Sequence, residues 1–153
     1  MNAPRALNSR DSLKLVRTAQ VAMLVSILIY VFLIWRIPAR SHPQNSTIYA
    51  ALTVLALSSV VVLFALRRFF AARLLAALSA NLEDTAALVQ WRASYVISYA
   101  VSESIAIYGL LLHFLGFSMK QVAPFLIAGF LLILFLAPSL PKPDISSGPI
   151  QRL

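Results

Sequence analysis

The sequence predicts an all-α, polytopic membrane protein with four transmembrane helices. Composition is the first reason: 60% of the 153 residues are hydrophobic and 12% are charged, against about 45–50% apolar and 25% charged in soluble domains. The second is segmentation, with apolar runs at about 18–35, 47–66, 92–117 and 121–137, each at or near the ~20 residues that cross a ~30 Å hydrocarbon core. The third is the placement of Lys and Arg, which gather at the ends of these runs and are absent from their interiors.

Residues 1–17 form a basic tail carrying Arg5, Arg10, Lys14 and Arg17. The apolar run behind it has 18 residues, longer than the ~7–15 of a cleaved secretion signal, so a retained helix is expected. Pro38, Pro43 and Asn45 mark a tight turn before the second span. After that span, Ala71-Ala72-Arg73-Leu74-Leu75-Ala76-Ala77-Leu78 consists of strong helix formers and is expected to prolong it. Asn81 is the expected N-cap of the third helix, with Glu83 and Asp84 in a first turn that favours acidic side chains. From Leu82 to Phe117 are 36 residues, about 54 Å of helix at 1.5 Å per residue, so helices two and three should form a long helical hairpin overhanging the bilayer. The fourth helix is expected from Gln121, with Pro124 in its first turn, where a missing amide costs little. Pro138 ends it, and residues 138–153 read as an extended, proline-rich tail.

Orientation follows from charge. With the N-terminus inside, the inner segments hold ten Lys and Arg (four in the tail, four from Arg67 to Arg92, two after Pro138) and the outer loops three, Arg36, Arg40 and Lys120. This is a strong positive-inside bias. Both termini and the hairpin connection are therefore expected in the cytoplasm, in a multi-pass inner-membrane protein. The net charge of +8 follows the helix ends, so nucleic acid is not an expected partner. Arg67, Arg68 and Arg73, beside Phe69 and Phe70, suit anionic lipid headgroups. Trp35 and Trp91 suit interfacial anchoring.

Glu103 is the one charged residue well inside a span. An ionised carboxyl there costs roughly 2.5–3.5 kcal/mol or more, and no Lys or Arg inside a span offers it an ion pair. The expectation is a neutral carboxyl donating a hydrogen bond to a serine or a backbone carbonyl. The span midpoints fall near Ser26, Ser58 and Ser59, Glu103 and Gly129, so a polar layer is expected there, supported by Tyr99 and Ser102. At 100° per residue, Tyr95, Ser98, Tyr99, Ser102, Ala106, Gly109, His113 and Gly116 share one face of helix three, with Trp91, while Ile97 and Leu111 lie opposite. Ser98, Ala106, Gly109 and Gly116 are expected at helix contacts, because small residues let membrane helices approach closely.

Residues 103–110, Glu-Ser-Ile-Ala-Ile-Tyr-Gly-Leu, resemble the carboxylate segment of the proteolipid (subunit c) of rotary ATPases, especially the vacuolar and archaeal type. The resemblance extends to a long hairpin with a cytoplasmic turn. It implies that Glu103 would be the ion-binding carboxylate for H+ or Na+. His113, about 15 Å further out by helical rise, would then stand at the outer end of a proton path. Helix two carries no glycine, unlike the partner helix of a proteolipid. The expectation placed first is therefore a structural or accessory subunit of a membrane assembly, docking on a protein partner or on its own copies through helix three, and the alternative is an ion carrier.

Enzymatic activity is not expected. The chain has no cysteine, hence no thiolate metal site or thiol nucleophile. The spans hold a single carboxyl, whereas aspartyl chemistry needs two, and a single histidine, too few for paired haem ligation within one chain. No metal or cofactor is expected.

Overall fold

The computed structural model describes residues 9–38, 45–80 and 85–138, with the side chains of Ser9 and of 70–80 outside the description. The described residues form four α-helices: α1 (Ser9–Arg36), α2 (Ser46–Ala80), α3 (Thr85–Phe114) and α4 (Met119–Phe135). Three segments, Arg10–Arg36, Ser46–Phe69 and Thr85–Phe114, are long and apolar enough to cross a membrane. At 17 residues, α4 is about 25 Å long.

Several boundaries differ from expectation for local reasons. The basic flank of α1 joins the helix because Lys14, Leu15 and Arg17 are themselves good helix formers, and the Thr18 hydroxyl donates back to Lys14 O at 3.0 Å. Asn45 starts α2, its Oδ1 accepting the Thr47 amide at 3.0 Å, as an N-cap does. α2 then runs unbroken through the Ala- and Leu-rich stretch to Ala80. Asn81, Glu83 and Asp84 lie outside the described residues, as do Arg5, His42 and the tail from 139. α3 stops at Phe114 rather than Phe117, because Gly116 takes φ 88°, which glycine adopts without steric cost. The Gly116 amide then donates to His113 O and the Phe117 amide to Leu112 O, the paired bonds of a Schellman cap. Gly116 therefore belongs to a turn and not to the packing stripe expected for it.

α4 begins at Met119, two residues early, because Gln121 Oε1 accepts from both the amide and the hydroxyl of Ser118, at 3.1 and 2.8 Å. Pro124 consequently sits beyond the first turn, inside the helix, where it withholds one amide from the ladder.

α3 is the central element, packing against each of the other three helices, while α1 also touches α4 and no extended packing joins α1 to α2. α1 and α3 run parallel: Ser26 and Tyr30 lie beside Glu103, and Ile37 beside His113. α4 returns antiparallel to α3. A Cβ on Gly129 would stand 2.8 Å from Ser102 O and 3.0 Å from Ala106 Cβ, and one on Gly109 would stand 3.0 Å from Phe125 Cβ. Two glycines on opposite helices thus allow the closest approach in the bundle. The core lies around this crossing, with Tyr99, Ser102, Ala106, Leu112, Val122 and Ile133 buried. Ile97 and Leu111 are exposed on the far side of α3, and Val54, Leu57, Val61 and Phe64 on α2. Trp91, expected also as an interfacial anchor, is buried at 3% exposure, whereas Trp35 is 79% exposed.

Candidate functional site

The membrane carboxyl is met from α1. Ser26 and Tyr30 are four residues apart and so share one face of that helix. The Ser26 hydroxyl lies 2.5 Å from Glu103 Oε1 and the Tyr30 hydroxyl 2.8 Å from the same oxygen. The two hydroxyls are 2.9 Å from each other, closing a triangle of oxygens between α1 and α3. The carboxyl oxygen is the acceptor here, where a carboxyl donating to serine or backbone was expected. Tyr30 was not anticipated at this position, because depth alone singled out Ser26. The i, i+4 spacing and the reach of a phenol were the available signals.

The other hydroxyls expected around Glu103 are committed elsewhere. Ser58 and Ser59 both donate to Leu55 O on their own helix, at 2.9 and 2.8 Å. Ser102 donates to Ser98 O at 2.8 Å and Ser98 to Ser94 O at 2.7 Å. Serine in an apolar helix satisfies itself on the preceding turn when no cross-helix acceptor lies within reach. The layer expected from span midpoints thus contracts to Ser26, Tyr30 and Glu103. Ser98, Ala106 and Gly109 are buried on α3, and the last two lie at the α4 crossing.

Three further side chains hold helix ends. His113 Nε2 lies 2.7 Å from Ile37 O. A carbonyl only accepts, so this ring nitrogen carries the hydrogen and donates. Ile37 O is among the carbonyls that the end of α1 leaves without an intrahelical partner, and His113, at 7% exposure, is a buried clamp rather than the water-facing group expected. The Tyr99 hydroxyl donates to Leu136 O at 3.1 Å, and the Gln20 amide to Ile133 O at 3.0 Å. The last turn of α4 is thereby held from α3 and α1 together. Gln20 carried no signal in the sequence beyond being a polar residue just inside the first span.

At the other end of α3, Trp91, Tyr95 and Tyr99 form a ladder of ring contacts with centroids 5.0 and 6.1 Å apart. The Arg67 guanidinium lies 5.2 Å from the Tyr95 ring centre, a cation–π contact that joins α2 to α3. Arg68 is exposed, and the side chain of Arg73 lies outside the description. Among the described residues no group of three or more His, Cys, Asp or Glu could hold a metal ion.

No family model, curated protein or solved structure matches this chain. The site must therefore be read from its own chemistry. A carboxyl held by two hydroxyls of a neighbouring helix can join helices, and it can store a proton.

Proposed function

We propose that the chain is a non-enzymatic, four-span inner-membrane protein with both termini in the cytoplasm, serving as a structural or accessory subunit of a membrane assembly. Its carboxyl is a fixed joint between α1 and α3, and α3 is the face on which a protein partner or a second copy docks. The observation that carries this reading is the engagement of one Glu103 oxygen by both Ser26 and Tyr30. A group that exchanges ions with a passing partner needs an open coordination shell, and this one is closed from inside the bundle.

Proton bookkeeping supports a neutral acid. The triangle has three oxygen–oxygen contacts, and the two hydroxyls supply one hydrogen each. A carboxyl hydrogen completes the ring, so that every contact carries one, and it removes the charge that a bilayer interior penalises. Level marks on the helices support membrane placement: Arg17 and Arg36 bracket α1, Arg92 and His113 bracket the corresponding length of α3, and each interval is about 30 Å of helical rise. Glu103 falls midway along the second.

The test combines stability with transport. Glu103→Gln retains a polar group of similar size, and the purified variant should fold, assemble with the same partners and lose only a modest part of its thermal stability. Vesicles containing the wild-type chain should show no proton or sodium flux above empty vesicles. A flux abolished by Glu103→Gln would replace this reading with ion carriage of the kind the proteolipid resemblance implies.

A further inference from the structure

We infer that one end of the bundle is a docking belt for anionic phospholipid headgroups, assembled from cations on three different helices. The parallel register of α1 and α3 carries the argument. Ser26 and Tyr30 meet Glu103 across sequence separations of 77 and 73, and Ile37 meets His113 across 76. The same offset carries Arg17 to the level of Arg92. On the other flank, Arg67 lies against the ring of Tyr95, one turn along α3 from Arg92, or about 4.5 Å of rise. Three guanidinium groups from α1, α2 and α3 thus reach one level, and Lys14 and Arg68 lie exposed beside them.

This belt stands at the boundary where the apolar stretches of all three helices begin or end. No carboxylate forms an ion pair with Lys14, Arg17, Arg68 or Arg92 among the described residues. Its positive charge is therefore left for an external anion. Bilayer phosphates occupy that level, and guanidinium groups pair with phosphate in a bidentate fashion. Arg67 is held by its aromatic neighbour, so one fork is positioned before a lipid arrives and less side-chain entropy is lost on binding. The occupant is a phospholipid rather than a soluble anion because exposed apolar side chains continue directly below the cations, with Val21 on α1 and Phe64 on α2. Acyl chains satisfy those surfaces and a free phosphate does not. At the opposite end, Arg36 lies 5.7 Å from the Phe32 ring centre, and Lys120 is its only described companion among Lys and Arg. That end has too few cations for a comparable belt.

The inference rests on the reading of the chain as a membrane protein, and carbonate extraction of membranes separates the two: release of the chain into the soluble fraction would remove the membrane reading itself. With the full chain retained in membranes, it is purified in mild detergent and lipid retention is measured by native mass spectrometry against mixtures of phosphatidylglycerol and phosphatidylcholine. The wild type should retain phosphatidylglycerol preferentially. Arg17→Gln with Arg68→Gln, both at exposed positions, should weaken that retention about fivefold per cation and roughly 25-fold together, whereas Arg36→Gln with Lys120→Gln should leave it unchanged. Equal retention of both lipids, or equal loss in the two variants, would overturn the inference. So would displacement of the lipid by inorganic phosphate beyond that produced by sodium chloride of the same ionic strength, since the belt would then be a free-anion site.

Discussion

The ring nitrogen Nε2 of His113, on the last turn of α3, lies 2.7 Å from the carbonyl oxygen of Ile37, one residue past the end of α1. A side chain of one helix thus completes the terminus of another, and the parallel pair is pinned at a second point about ten residues from the Glu103 triangle.

His113→Ala should cost about 1–3 kcal/mol, the usual penalty for leaving a buried acceptor without its donor. The check is thermal unfolding of the purified protein in detergent. His113→Gln, which retains an amide donor, should recover part of the loss, and equal melting of the two variants would show that packing rather than the hydrogen bond matters at this position.

At the triangle, Ser26→Ala and Tyr30→Phe should each destabilise by about 0.5–1.7 kcal/mol, the range seen for interhelical hydrogen bonds in membranes. Because both hydroxyls meet one oxygen, the effects should not add. A double-mutant cycle in the same unfolding assay should give an interaction energy of at least about 0.5 kcal/mol.

Gly129→Ala should be among the most damaging single-methyl additions in the chain. Its Cβ would fall 2.8 Å from Ser102 O, and backbone cannot move aside as a flexible side chain does. The expected loss is about 1–3 kcal/mol, read as a lower melting temperature. Gly129→Val should lose more, and disulfide trapping between cysteines placed on α3 and α4 should slow as the helices separate.

Gly116→Ala should cost about 1 kcal/mol, because alanine must adopt φ 88° to preserve the turn. Gly116→Asn should cost less, since asparagine tolerates the left-handed region better. The two variants can be ranked in a single melting experiment.

The helical architecture was legible because composition and apolar run length are set directly by the solvent a chain must live in. The inward face of α3 was equally legible from 3.6-residue periodicity, and Ser98, Tyr99, Ser102, Ala106, Gly109 and His113 do lie buried along it. The partners of these residues were not. Depth along a span cannot distinguish Ser26, which crosses to Glu103, from Ser58 and Ser59, which turn back on Leu55, because the outcome depends on which helix stands opposite. Tyr30 and Gln20 reach their partners through long side chains that start well away in depth. Trp91 seemed suited to a boundary by its position, yet its neighbours on α1 and α3 enclose it. Gly116 fell on the packing stripe by angle, but the chain had already left the helix there.

The absence of extended packing between α1 and α2 has a bearing on biogenesis. Helices enter a membrane in the order of translation, so the first two arrive before the element that holds either of them. A chain arrested between α2 and α3 would leave two independent helices free to diffuse apart within the limits of their connecting loop. Assembly of the bundle therefore waits for α3, and quality control acting on the unfinished chain would encounter Glu103's future partners, Ser26 and Tyr30, while they are still without their acceptor.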